Sequence, residues 1–344
     1  MFKSDPMNKS KTPPSYARII DAMAGKKIAV WGDFIIDEYI YGTTRRISRE
    51  APVLILSYSN SLYALGGAGN TLMNIRSLGG EPLPVGVLGD DESARQVLDL
   101  MRRENICTDH LYTLKGYQTP LKTRILAGEQ STRKQQILRI DRESIVPDSP
   151  DVTKALFASL RKLSRQAKAL LISDYHYFTV TRDLFKEVKI LYDDSRIPIT
   201  LDSRFRILDF PGITVATPNE SEVEEALNIQ LGDNQEWINK AGRTLLNKCQ
   251  AEALVMTQGS RGMLLFERRT PPFPIPIHGS PDIVDVTGAG DTVISTLTLG
   301  LTCGISFREA AHLANYAAGL VVMKKGTATV SSRELKKAVA EDSE

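Results

Sequence analysis

The stretch DVTGAGDTVIS, at residues 285–295, places two glycines and two aspartates around a turn that leads into an apolar run. Gly288, Ala289 and Gly290 leave three successive backbone N–H groups with little side chain over them, and Asp291 stands where a helix is expected to begin. Amides at a helix N-terminus bind phosphate, and a carboxylate there can take a proton from an attacking hydroxyl. An ordinary turn with an aspartate in the first helical turn fits this stretch equally well.

Composition limits the class of protein. The chain has 344 residues and a formal charge of +2, which is enough length for one large domain and too little net charge for a nucleic-acid partner. Its three cysteines and four histidines have no disulfide or metal-ligand spacing. No signal-peptide core or membrane-length apolar run occurs, so we expect a cytoplasmic protein without a membrane partner, and a disordered segment at 1–14.

Apolar runs rich in β-branched residues alternate with amphipathic segments along most of the chain. The runs predict strands at 27–33, 82–89, 169–174, 197–202, 213–218 and 253–259. The amphipathic segments predict helices at 91–104, 151–166, 181–193 and 235–248. This alternation is typical of an α/β fold in which helices cover both faces of a mostly parallel sheet, with ligands beyond the carboxyl ends of the strands.

Two segments, 38–63 and 111–140, read instead as strand pairs without a helix between them. We expect them to form a small β-sheet lid beside the main sheet, and this exposed sheet makes a homodimer plausible. The whole chain, 1–344, is expected to be one domain that ends in helices 306–323 and 331–341, with no second domain after them.

The sequence GGAGN, at 66–70, is a second glycine cluster. Gly66 and Gly67 allow close backbone approach to a ligand, and Asn70 offers both donors and an acceptor. Leu72 stands where a dinucleotide fingerprint needs a small residue, which weakens the alternative of a nicotinamide-dependent enzyme. Tight packing of helix on sheet explains the cluster as well.

The sequence TPNESE, at 217–222, has two interpretations. Asn219 and Glu222 have the spacing of a helix capping box. The same two side chains could hold a hydrated Mg²⁺ near phosphates, because hard cations prefer oxygen ligands.

Charged residues mark a possible sugar phosphate site. Asp33 and Asp37 follow the first strand and could accept hydrogen bonds from sugar hydroxyls. Lys122 and Arg124 are two residues apart, which on a strand puts both on one face, and Arg139 lies in the same predicted lid. These cations could bind a phosphate on the substrate, or simply form a solvated face.

The order of these motifs, with a T-x-G-x-x-G at 257–262 and D-x-T-G-A-G-D at 285–291, resembles the PfkB, or ribokinase-like, carbohydrate kinases over residues 25–335. The resemblance implies ATP and Mg²⁺ as cofactors and a small phosphosugar as substrate. It implies Asp291 as catalytic base with Gly288, Ala289 and Gly290 as the anion hole. It assigns ATP to Asn219, Glu220, Ser221, Glu222, Thr257, Gly259, Gly262 and Asn315. The predicted substrate-binding residues are Asp33, Asp37, Gly66, Gly67, Asn70, Lys122, Arg124, Arg139 and Asp174.

The heptose 7-phosphate kinase branch of that family is similar to this chain at residues 32–53, 134–141, 217–222 and 314–331. This implies phosphorylation of D-glycero-D-manno-heptose 7-phosphate at O1, on the route to ADP-heptose and the lipopolysaccharide core. The chain differs from that branch at 173–178 (SDYHYF) and 202–204 (DSR). A kinase for another sugar or sugar phosphate, and a non-catalytic ligand-binding regulator on the same fold, remain as alternatives.

Overall fold

The computed structural model describes residues 15–128, 134–278 and 284–342. The predicted disorder of 1–14 lies outside these ranges. The chain folds as a large, mostly parallel sheet covered by helices, with a smaller second sheet beside it. Within the described ranges, no helix combines the length and the apolar character needed to cross a bilayer.

In the described residues the large sheet consists of nine strands, whose order across the sheet is β13-β12-β11-β10-β9-β8-β1-β4-β5. Their bounds are β1 Lys27–Gly32, β4 Glu81–Leu88, β5 Leu111–Thr113, β8 Ala169–Asp174, β9 Ile199–Ser203, β10 Val215–Ala216, β11 Ala253–Thr257, β12 Met263–Glu267 and β13 Phe273–Ile275. The seven neighbouring strands from β11 across the sheet to β5 pair in parallel. At the other edge, β12 pairs antiparallel with β11, and β13 pairs antiparallel with β12. Parallel pairing requires crossover connections, and helices supply most of them.

Helices lie on both faces of the large sheet. They are α1 Tyr16–Ala22, α2 Ala68–Ser77, α3 Glu92–Arg103, α4 Pro150–Leu163, α5 Arg182–Asp194, α6 Glu220–Leu227, α7 Gln235–Lys248, α8 Ala289–Thr302, α9 Phe307–Val321 and α10 Ser332–Glu341. Successive residues of β1 show the two faces: Trp31 packs in the core that includes side chains of α4, α5 and α7, and Val30 packs in the core that includes side chains of α2, α9 and α10. Both faces of the strand are therefore buried, as its continuous apolar sequence predicts.

The second sheet, which we call the small sheet, has the order β3-β2-β6-β7. Its strands are β2 Phe34–Ile47, β3 Leu54–Gly67, β6 Leu121–Gly128 and β7 Gln135–Arg142. Strands β2 and β6 pair in parallel, and each has an antiparallel partner on its other side. Its role as a lid stays a prediction.

The predicted α/β fold with a small second sheet is confirmed, with two corrections to the bounds of the small sheet. Residues 111–113, which were expected in the lid, pair with β4 at the edge of the large sheet. The small sheet begins earlier than predicted, since β2 starts at Phe34 directly after β1. This short passage between the two sheets brings Asp37 to the carboxyl end of the large sheet.

Candidate active site

Helix α8 begins at the glycine-rich turn and carries Asp291 in its first turn. Gly288 has φ +79°, a conformation that favours glycine, and a Cβ there would lie 2.5 Å from the Asn70 amide nitrogen. The sequence of this turn is therefore required by its packing as well as by any ligand. Nothing lies within 4 Å of the Cβ position of Gly290, so that side of the turn is open.

Asp291 is a buried carboxylate held by three side-chain donors. The Asn70 amide donates to Oδ2 at 2.7 Å, and the Thr71 and Tyr175 hydroxyls both donate to Oδ1 at 3.2 Å. Burial raises the pKa of Asp291 to about 6, while these three hydrogen bonds act in the opposite direction. The group is therefore mostly ionised at neutral pH and can accept a proton.

A cavity of about 460 Å³ opens in front of Asp291, at the carboxyl ends of the parallel strands. It brings together most of the residues that the sequence assigns to the site: Asp37, Gly66, Gly67, Lys122, Arg124, Arg139, Asp174, Asn219, Glu222, Thr257, Gly288, Gly290 and Asp291. Among the lining residues that were not predicted as site residues, three can carry or share charge: Tyr175, Asp202 and Arg204.

A second, more apolar cavity of about 150 Å³ adjoins the first. It is lined by Gly259, Gly262, Ala289 and Asn315, and both cavities share Thr257, Val286 and Gly290. The Asn315 amide is already used, because it donates to the Pro276 carbonyl at 2.7 Å. The predicted nucleotide residues thus lie beside the predicted catalytic ones, on the other side of the same turn.

Acidic side chains occupy one side of the larger cavity. Glu222 forms both halves of the capping box with Asn219, at 2.8 and 2.9 Å, and also lines the cavity. Burial raises the pKa of Glu222 to about 7, and burial together with the nearby Glu222 and Asp291 charges raises the pKa of Asp202 well above its ordinary value. A divalent cation would relieve this crowding of carboxylates.

These donors fit a hydrated cation better than a fully protein-coordinated one. Among residues 15–128, 134–278 and 284–342, no cluster of three or more His, Cys, Asp or Glu side chains is placed to hold a metal ion. Mg²⁺ often keeps several waters and binds through one or two carboxylates plus phosphate oxygens.

Basic side chains also line the larger cavity, and most of them lie on the small sheet. Lys122 and Arg124 line the cavity from the same face of β6, as their spacing predicts. Arg124 forms a buried ion pair with Asp37, whereas the nearest carboxylate to Lys122 in the described chain is Glu143, at 4.0 Å. Burial and the neighbouring Arg204 charge lower the pKa of Lys122. An anion in the cavity would therefore be attracted first by Lys122 and Arg204.

The structure gives Asp33 partners within the protein. This carboxylate is buried outside the cavity lining and accepts backbone N–H bonds from Tyr175 at 2.8 Å, Tyr177 at 3.1 Å and Thr179 at 3.2 Å. Its oxygens hold the loop after β8, and its predicted contact with the sugar stays a prediction. Asn70 likewise lies outside the cavity lining, and its amide nitrogen is used by Asp291.

Three further predicted side chains are either paired within the protein or lie outside the cavities. Asp174 lines the cavity but accepts bonds from Arg206 at 2.5 Å and Ser203 at 2.7 Å. Glu220 pairs with Arg261 at 2.6 Å, and the exposed Ser221 lines neither cavity. Their predicted contacts with ATP or sugar stay predictions.

Of the missed residues, Asp202 had a sequence signal, because it lies near the end of a predicted strand. Arg204 and Tyr175 had only their position just after strands β9 and β8. Their contacts join residues far apart in the chain: the Arg204 guanidinium lies 5.6 Å from the centre of the Tyr175 ring.

The family model for pfkB family carbohydrate kinases matches residues 25–334, almost the whole chain. The chain belongs to this family. The chain is 35% identical over 312 residues to the Bifunctional protein HldE of Pelobacter propionicus, covering 90% of this chain and 62% of that protein. It is 36% identical over 322 residues to the HldE protein of Geobacter metallireducens, covering 93% and 63%. The chain thus spans less than two thirds of the length of these relatives.

Solved structures show the same fold. Arabidopsis thaliana ribokinase, complexed with ribose and ATP, superposes with a TM-score of 0.69 at 19% identity, covering 92% of this chain and 99% of that one. Escherichia coli phosphofructokinase-2 in complex with fructose-6-phosphate gives a TM-score of 0.71 at 18% identity, covering 93% and 100%. The family match makes the protein a carbohydrate kinase, and the likeness to solved structures shows a ribokinase-like fold.

Proposed function

We propose that this kinase transfers the γ-phosphoryl group of ATP to O1 of D-glycero-D-manno-heptose 7-phosphate, giving the 1,7-bisphosphate for ADP-heptose and lipopolysaccharide core synthesis. One observation carries the proposal: a single cavity is lined by the buried Asp291 carboxylate beside the glycine turn and by the cations Lys122, Arg139 and Arg204. A substrate with a hydroxyl to phosphorylate and a phosphate of its own would use both the carboxylate and the cations. The choice of a heptose rests on the resemblance at 32–53 and agrees with the similarity to HldE proteins.

The chemistry follows from Asp291 and the turn before it. The Asp291 carboxylate accepts the proton of the O1 hydroxyl while the oxygen forms its bond to the γ-phosphorus and the bond from phosphorus to the β,γ-bridging oxygen breaks, releasing ADP. The backbone N–H groups at 288–290, at the positive end of the α8 dipole, stabilise charge on the transferred group.

The remaining residues bind and neutralise. We assign the nucleotide to the second cavity at Gly259, Gly262 and Asn315, and hydrated Mg²⁺ to Glu222 and Asn219. Mg²⁺ there would neutralise phosphate charge during transfer. The small sheet, which carries Asp37 and Lys122, covers the sugar as a lid.

A turnover assay with a panel of acceptors tests the substrate. The panel contains heptose 7-phosphate, the unphosphorylated heptose, fructose 6-phosphate and ribose, each with ATP and Mg²⁺, and product is identified by ³¹P NMR. We expect the highest kcat/KM with heptose 7-phosphate and a second phosphorus signal at C1. Preference for another sugar phosphate would favour the alternative kinase, and equal activity on unphosphorylated heptose would contradict the phosphate assignment.

The Asp291→Asn variant is the blank for this assay. It keeps the shape and the hydrogen-bond acceptor of the side chain but removes its basicity, so kcat should fall by about 10²–10⁴. A protein that turns over none of the acceptors, with or without this change, would be a ligand-binding regulator instead.

A further inference from the structure

The loop between β8 and α5, residues 175–181, is organised by one buried carboxylate. Asp33 is only 1% exposed, and its two oxygens accept the backbone N–H groups of alternate residues in the loop, Tyr175, Tyr177 and Thr179. A buried carboxylate is costly unless it is hydrogen-bonded, and these three amides satisfy it. The loop is thereby tied to the first strand of the large sheet.

The residues between those amides have an unusual backbone. His176 has φ +68° and Phe178 has φ +65°, both in the left-handed region that non-glycine residues seldom adopt. This alternation turns every second N–H toward Asp33. Strained residues of this kind are often found at functional sites, where the surrounding structure holds them.

The loop delivers the Tyr175 side chain to Asp291. The hydroxyl donates to Oδ1 at 3.2 Å across 116 residues of sequence, and no other hydrogen-bond partner of this hydroxyl occurs in the part of the chain that the structure describes. The ring lies 5.9 Å from the Lys122 ammonium and 5.6 Å from the Arg204 guanidinium, measured to its centre. Tyr175 therefore contacts both the base and the cations of the cavity.

We infer that Tyr175 is a positioning residue for Asp291: its hydroxyl fixes one oxygen of the carboxylate and stabilises the ionised form that takes the substrate proton. The inference rests on the proposed role of Asp291 as the base. Asn70 holds the other oxygen from α2, so the carboxylate is fixed from two elements. Burial raises the pKa of Tyr175 well above its ordinary value, so the hydroxyl keeps its proton and remains a donor at every working pH.

Other charged groups also face the base and must be considered in any pH dependence. Asp37 raises the pKa of Asp291. The remaining titratable or charged groups of the same cavity are Lys122, Arg124, Arg139, Asp174, Asp202, Arg204 and Glu222. All of them are unchanged in a Tyr175 variant, so a comparison with the parent enzyme isolates the hydroxyl.

Tyr175→Phe and Tyr177→Phe form a matched pair of variants. Both remove one hydroxyl from the same loop, but the Tyr177 hydroxyl donates to Glu143 and not to Asp291. The hydrogen bond from Tyr175 lowers the pKa of Asp291, so Tyr175→Phe should move the acid limb of the kcat–pH profile to higher pH by about one pH unit. At pH 6.5 the kcat of the variant should then be several-fold below that of the parent, and above pH 8.5 the two values should converge. Tyr177→Phe should keep the parental limb.

A kcat loss that is equal at every pH, or an acid limb that does not move, would overturn the inference. A carboxyl-carbon NMR titration of aspartate-labelled enzyme gives a readout independent of turnover, with Asp291→Asn assigning the signal. Its midpoint should rise in Tyr175→Phe. If Asp291→Asn keeps full kcat while the titration midpoint of Asp291 rises in Tyr175→Phe, the proposed base is wrong but the action of Tyr175 on Asp291 stands. If the midpoint is the same in Tyr175→Phe and the parent, Tyr175 does not act on Asp291.

Discussion

At the scale of single residues, the carboxylates of the site differ in their hydrogen-bond and ion-pair partners. Asp33 accepts hydrogen bonds from backbone amides, whereas Asp37 pairs with Arg124 and Asp174 with Arg206. Among the described residues, the hydrogen-bond donors to Asp291 are all neutral, which leaves it with more basicity than an ion-paired group would have. This difference separates the proposed base from its neighbours.

Glu222 is the residue whose two interpretations both fit the structure. A change to Gln keeps an oxygen that can accept the Asn219 N–H, so the melting temperature should stay within about 2 °C of the parent. If Glu222 orders Mg²⁺, loss of its charge should raise the Mg²⁺ concentration for half-maximal activity by about tenfold and lower kcat. Activity titrated with Mg²⁺ at saturating ATP and sugar measures this.

Glu225→Gln is the control for that change. Glu225 lies one turn further along α6, is exposed and lines neither cavity, and the substitution removes the same charge. An unchanged Mg²⁺ titration in Glu222→Gln, or an equal shift in both variants, would leave Glu222 with its capping role alone.

At the scale of elements, strand β6 presents Lys122 and Arg124 to the cavity in different electrostatic states. Arg124 is neutralised by Asp37, so its removal would also leave that buried carboxylate unpaired. Among the described residues, Lys122 has a long ion pair with Glu143 at 4.0 Å and interacts with Asp141 and Asp37 from further away, so a substrate phosphate would be its principal partner. Lys122→Met should therefore raise KM for the phosphorylated sugar by about 10- to 100-fold and leave KM for ATP unchanged.

Lys115→Met provides the control, since it removes the same charge from an exposed position outside both cavities. Initial-rate kinetics with each substrate varied in turn give the two KM values. Equal effects on both values would mean that Lys122 acts on the nucleotide phosphates or on the fold.

The elements themselves could be predicted closely where periodicity is strong. Helix 235–248 and strand 169–174 have the bounds that the sequence indicates. The shortest elements could not be predicted: β5 has three residues, and the pairing partner of so short a strand depends on which edge is open and not on its own pattern. The same limit applies to β10: the sequence predicts a strand at 213–218, and the structure has two residues of strand there.

At the scale of the whole molecule, the site depends on contacts between distant parts of the chain. Asn70, Tyr175 and Asp291 meet although they are separated by more than 100 residues from one another, and sequence spacing carries no information about such meetings. The motifs indicated Asp291, the glycine turn and the cations. They could not show that Asp33 would bind the backbone of a loop or that Asn70 would hold the base. A polar side chain that contacts a ligand and one that contacts the protein look the same in sequence.

The small sheet also carries an exposed apolar surface that could contact a second copy of the chain. Large apolar side chains that are exposed in the described structure concentrate on it and on the turn between β2 and β3: Ile47, Val53, Leu54, Tyr58, Leu62, Tyr63, Ile137, Leu138 and Ile140. Exposed apolar patches of this kind mark interaction surfaces, and β3 and β7 form the two edges of the small sheet in the described residues, where backbone groups can pair with a further strand. We propose that two chains pair through their small sheets.

A charged substitution on this surface tests the pairing. Tyr58 is 67% exposed, so Tyr58→Asp costs little in the monomer but places a charge in the proposed interface. We expect light scattering to give about twice 38.0 kDa for the parent and 38.0 kDa for the variant at micromolar concentration. Ile190→Asp, at a 63% exposed position on α5, is the matched control and should keep the parental mass. A monomeric parent, or a Tyr58→Asp variant of unchanged mass, would exclude Tyr58 and its surroundings from the contact between copies.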